Sequence, residues 1–204
     1  MNIENENERI EVALDFIDQV LLYHIDQTNK QVDEDINTLV GILGGLDTNY
    51  KPQVGKIYSG FACIGKSSVA RKKNSYIDLE SSSFKINGYH KSDWYITYCN
   101  VLEYLVSQGF NVFISSHQQV RDELHKRNID FTVITPILEL KDQWLERLRK
   151  RYEAEPTQSN WLALDGVSRY YDTMVASLLV EQDKIIIDNI DYDLETLIKI
   201  HNNK

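Results

Sequence analysis

From residue 56 onward the chain alternates two patterns. Short runs of consecutive apolar, often β-branched residues occur at 56–60, 75–79, 111–116, 131–135 and 184–188. Longer segments between them place apolar residues three and four positions apart. A strand buried on both faces needs continuous rather than alternating hydrophobicity, so the five runs predict a parallel sheet. The intervening periodicity predicts helices over 93–108, 118–127, 140–153, around 170–180 and over 194–200, with a short one over 67–73. Strands separated by helices predict an α/β domain with helices on both faces of a five-stranded sheet.

The first fifty residues follow a different rhythm. Ile10, Ala13, Leu14, Ile17, Leu21 and Ile25 fall at helical spacing and predict an amphipathic helix over 8–26. Ile36, Leu39, Val40 and Leu43 predict a second over 33–43, ended by Gly44-Gly45. Residues 46–55, with Pro52, read as a linker. The expected organisation is a helical extension over 1–50 and an α/β domain over 51–204.

Composition narrows the class. The 204 residues are 42% hydrophobic and 26% charged, as in folded proteins. No apolar run is long enough to span a bilayer, and the start, Met1 to Glu6, is too acidic for a signal peptide. Cys63 and Cys99 read as free thiols. Together these predict a cytoplasmic protein with no membrane partner. The net charge of −9 argues against nucleic acid as a partner. Ten acids against two bases in residues 1–36 account for most of it, leaving the remainder near balance and able to host a local phosphate site. The apolar side of the extension predicts packing on its own domain, a homodimer contact or a protein partner.

The strongest chemical signal is Gly60-Phe61-Ala62-Cys63-Ile64-Gly65-Lys66-Ser67, which meets every fixed position of G-x-x-x-x-G-K-[ST]. The glycines allow backbone N–H groups to point inward at an anion, and the following helix aims its positive end there. Lys66 is placed to reach the β- and γ-phosphates, Ser67 to coordinate Mg²⁺, and Ser68 follows on the same turn. ATP with Mg²⁺ is the expected ligand.

A second group sits where parallel strands end, which is where ligands bind in such sheets. Asp78 and Glu80 are two apart on the second strand and point the same way; Ser81-Ser82-Ser83 follows. One acid could hold Mg²⁺, Asp78 with Ser67. The other could orient or deprotonate an acceptor hydroxyl, with Ser82 beside it. His117 and Arg121, after the third strand, lie four apart and could grip the acceptor. Trp94, Tyr95, Tyr98 and Tyr104 are candidates to stack on an acceptor ring, Trp94 first among them. Arg147 and Arg151 share a helical face and could stabilise a transferring phosphoryl group, in a lid around 147–160 whose tip is the polar, Pro156-containing stretch 153–159.

This order of parts resembles the nucleoside monophosphate kinase and shikimate kinase group of P-loop kinases, from about Lys56 to the C-terminus. The compact chain is also similar to small kinase-like proteins encoded by phages of low-GC bacteria. The resemblance implies a three-layer P-loop NTPase fold and ATP-dependent phosphoryl transfer to a small acceptor. A nucleotide or nucleoside is expected first. A hydroxylated metabolite is the alternative, since Asp78-Leu79-Glu80 resembles the acidic pair of the shikimate and gluconate kinase branch. A nucleotide-binding interaction protein with weak or no catalysis is a third.

Overall fold

The structure, a computed structural model, describes residues 54–86 and 89–203. The expected extension over 1–50, its two helices and most of the linker lie outside the described residues. The elements are β1 (Ile57–Gly60), α1 (Lys66–Ala70), β2 (Tyr76–Asp78), a 3-10 turn (Ser81–Phe84), β3 (Lys85–Ile86), β4 (Tyr89–His90), α2 (Trp94–Ser107), β5 (Asn111–Ser115), α3 (Gln118–Lys126), β6 (Thr132–Pro136), a 3-10 turn (Leu138–Leu140), α4 (Lys141–Ala154), α5 (Gln158–Leu179), β7 (Lys184–Ile187) and α6 (Leu194–Asn202).

The main sheet is five-stranded and parallel, in the order β2-β5-β1-β6-β7. Its middle strands are buried almost throughout, which explains their unbroken apolar runs. Successive side chains of a strand face opposite ways, so Ile57, Val112 and Ile114 join one core with α2 and α3. Tyr58 and Phe113 join another with α1, α4, α5 and α6. The chain leaves β1 toward one edge of the sheet and leaves β5 toward the other, so a crevice opens at their carboxyl ends.

Two local departures matter for the site. Polar residues 153–159 predict a loop, yet α4 runs to Ala154 and α5 begins at Gln158, leaving three residues between them. Thr157 caps α5, its side chain accepting from the Asn160 N–H at 3.2 Å, and the Asn160 side chain donates to the Glu155 carbonyl at 2.8 Å. The β3–β4 ribbon between β2 and α2 was not foreseen, because two-residue strands carry no periodicity. No helix among the described residues is long and apolar enough to cross a membrane.

Candidate active site

The glycine loop leaves β1 and is held from outside. The Phe61 N–H donates to the Ile134 carbonyl at 2.9 Å. The Trp144 indole N–H donates to the Ala62 carbonyl at 2.9 Å, and the Tyr192 hydroxyl donates to the Ile64 carbonyl at 2.8 Å. Cys63 and Gly65 take positive φ, 65° and 98°. Such left-handed residues turn successive amides to one side, the geometry of an anion nest. The N–H groups of Gly65, Lys66 and Ser67 find no acceptor among the described residues, and no side chain caps α1. The two glycines serve different needs. At Gly65 a Cβ would have free space but a strained φ; at Gly60 a Cβ would meet Ile64 Cδ1 at 2.4 Å and Lys66 Cδ at 2.9 Å.

Lys66 folds back over the loop, its Nζ 3.4 Å from the Gly60 carbonyl. Ser67 donates to Asp78 Oδ2 at 2.6 Å. The other oxygen, Asp78 Oδ1, is buried and has no hydrogen-bond partner among the described residues. A carboxylate oxygen withheld from water is stabilised by a cation or a donor. Ser67 and Asp78 could thus hold a metal ion between them. Glu80, two residues on, has its pKa raised, first by desolvation and then by the Asp78 charge, with Lys66 and Arg151 opposing.

A cavity of about 480 Å³ opens beside the loop, within the range of small-molecule sites. Residues 63–69 form one wall and Glu80 sits at its edge; Arg147 and Arg151 face it from α4, and residues 192–195 close it. The two arginines differ in state. Arg147 donates to the Tyr192 hydroxyl at 2.9 Å and the Ile190 carbonyl at 2.6 Å. Its guanidinium stands 5.2 Å from the Trp144 ring and 5.0 Å from the Tyr192 ring, and those rings stack at 6.1 Å with planes 1° apart. Burial pushes the Tyr192 hydroxyl up to about 12, although Arg147 opposes the shift, so it stays protonated and donates. Arg151 is exposed, and its side chain makes no hydrogen bond or ion pair among the described residues.

The structure places the expected acceptor residues in different surroundings. Arg121 is buried. It donates from Nε to Glu181 at 2.9 Å, from Nη2 to Ser177 Oγ at 3.2 Å and from Nη1 to the Ser116 carbonyl, so its donors are committed inside the protein. Trp94 is core, not a platform: His90 covers it at 4.0 Å with planes 10° apart, and Phe84, Tyr98 and His117 crowd its edges. Tyr98 is fully buried. It donates to the Leu79 carbonyl at 2.6 Å and accepts from the Ser115 N–H at 3.0 Å, tying the ends of β2 and β5 together. Tyr95 and Tyr104 pack against the same core. His117 does reach the crevice end of β5, where its Nδ1 meets Ser115 Oγ. Its pKa is lowered by desolvation and by His90, Lys85, Lys66 and Arg121, so the ring is neutral. Ser82 is exposed on the 3-10 turn after Glu80.

Tyr192 and the residues after it were not foreseen. They lie in the loop and first helical turn after the last strand's carboxyl end, and that position was the available signal. No protein-family model, curated protein or solved structure matches the chain.

Proposed function

We propose that the chain binds Mg²⁺-ATP on the loop 60–67 and transfers the γ-phosphoryl group to a hydroxyl of a small acceptor, in the manner of P-loop kinases. The observation that carries this is the Ser67–Asp78 hydrogen bond, one residue from Lys66 and beside a buried Asp78 oxygen that has no partner among the described residues. Mg²⁺ keeps several waters and takes only one or two carboxylates plus phosphate oxygens, and a Ser–Asp pair suits that demand. Ser67 and Asp78 would hold the metal ion, which would supply positive charge against the phosphates. The chain's own residues do the rest. The N–H groups of Gly65, Lys66 and Ser67 hold phosphate oxygens, Lys66 unfolds from the Gly60 carbonyl onto them, and Arg151 meets charge on the transferring group. Glu80, with its raised pKa, takes the acceptor proton.

One observation bears on the acceptor. With Arg121 committed to Glu181, the wall carrying Asp78 and Glu80 gains no cation from that residue. A phosphate dianion there would be repelled by two carboxylates, with Lys66 and Arg151 opposing at Glu80, whereas a neutral hydroxyl would not be repelled. This favours a nucleoside or other hydroxylated metabolite over a nucleoside monophosphate. ADP release and product mass, measured with nucleotides, nucleosides and sugar acids, test both levels. Turnover is expected in wild type and abolished in Lys66→Ala and Asp78→Asn. Turnover insensitive to both substitutions would sink the kinase assignment.

A further inference from the structure

We infer that Tyr192 and Trp144 are positioning residues that set the direction of the amides in the glycine loop, and that Arg147 belongs to this clamp rather than to the ligand. The inference rests on the loop being the triphosphate site proposed above. In a trans peptide unit the carbonyl of one residue and the N–H of the next point opposite ways. Trp144 pulls the Ala62 carbonyl toward α4, so the Cys63 N–H faces away from the indole. Tyr192 pulls the Ile64 carbonyl toward its own hydroxyl, so the Gly65 N–H faces away from the phenol. These two units end on Cys63 and Gly65, the loop's positive-φ residues, and both line the cavity. A left-handed cysteine is a costly conformation, which the surrounding contacts must impose. The clamp supplies those contacts. Its rings are stacked in parallel, Trp144 is fully buried, and Arg147 ties Tyr192 to the Ile190 carbonyl. The loop therefore arrives at an anion with two N–H groups already turned, and the anion does not bear the cost of turning them.

Tyr192 also lines the cavity, so a direct contact with the nucleoside half of the ligand is the rival explanation. Inorganic tripolyphosphate separates the two, because it reaches the loop and has no base or ribose. Calorimetric titration of the full chain with ATP and with tripolyphosphate, each with Mg²⁺, is run on wild type, Tyr192→Phe and Trp144→Phe. Both variants keep an aromatic ring and lose one donor to the loop. About a tenfold loss of affinity is expected, equal for the two ligands, with the melting temperature of Tyr192→Phe within a few degrees of wild type. If ATP weakens while tripolyphosphate does not, Tyr192 touches the nucleoside and the clamp is refuted. Unchanged affinity for both ligands refutes it equally. If wild type binds neither ligand, the nucleotide site itself fails and the clamp with it; if wild type binds both, only the variants decide.

Discussion

Gly65 and Arg151 are the residues at which structure and chemistry separate most cleanly. Gly65 has φ 98° with nothing near its missing Cβ, so Gly65→Ala acts through backbone conformation alone. It should cost about 1 kcal/mol of stability and weaken triphosphate binding further by moving the loop amides. Urea unfolding and ATP titration check the two effects, and an alanine variant as stable as wild type would contradict the strained φ. The arginines of α4 predict a split in kinetics. The Arg151 side chain makes no hydrogen bond or ion pair among the described residues and lines the cavity, so Arg151→Ala should lower kcat about 10²-fold with little change in the KM for ATP. Arg147 is committed to Tyr192 and Ile190, so Arg147→Ala should raise that KM and lower the melting temperature. A kcat effect confined to Arg147→Ala would reverse the assignment. In the sequence these arginines are equivalent, two bases on one face. Only the packing of Tyr192, 45 positions away, tells them apart.

At the scale of elements, the segment after β1 is short and is anchored from the C-terminal helix. Lys73, just past α1, pairs with Glu195 in the first turn of α6 at 2.8 Å, and Lys199 pairs with the same carboxylate at 2.6 Å. These partners, Lys199 first, pull the Glu195 pKa down to about 2. A depressed folded-state pKa means that the unfolded chain binds more protons between about pH 4.5 and 2. The Glu195 contribution is therefore complete above pH 4.5 and is lost as pH falls toward 2. Urea unfolding across that window should show wild type losing stability faster than Glu195→Gln; parallel curves would remove Glu195 from the acid response. The strands were legible because burial on both faces leaves an unbroken apolar run, as at Asn111–Ser115. The first half of α5 was not, because Thr157-Gln158-Ser159-Asn160 is polar and reads as loop unless Thr157 is recognised as a cap. The Gly60–Ser67 motif was legible because its chemistry is local. The clamp around it was not, because Trp144 and Tyr192 come from distant elements.

Across the whole molecule, Arg121 joins parts that belong to different cores. Its helix, α3, packs with α2 in one hydrophobic cluster, while Ser177 and Glu181 lie near and beyond the end of α5, whose buried residues belong to the other. Spacing made Arg121 a neighbour of His117 and hence an acceptor ligand; a partner sixty positions later made it a stitch. The consequence is testable without knowing the acceptor. The Arg121 side chain is 4% exposed and that of Glu181 13%, so solvent screens the pair little. Removing one member of a buried pair leaves the other charge uncompensated and costs about 3–5 kcal/mol. That is a large part of a typical domain stability of about 5–15 kcal/mol, yet it leaves a folded protein to measure. Arg121→Met should thus lower unfolding free energy by about 3 kcal/mol while ATP affinity stays within twofold. Glu181→Gln should destabilise too, and the double variant should be more stable than the sum of the single losses requires, because each change relieves the charge the other leaves short of a partner, His125 Nε2 remaining 2.8 Å from Glu181. If Arg121 instead reached into the crevice for an acceptor, Arg121→Met would leave stability untouched and the two substitutions would be additive.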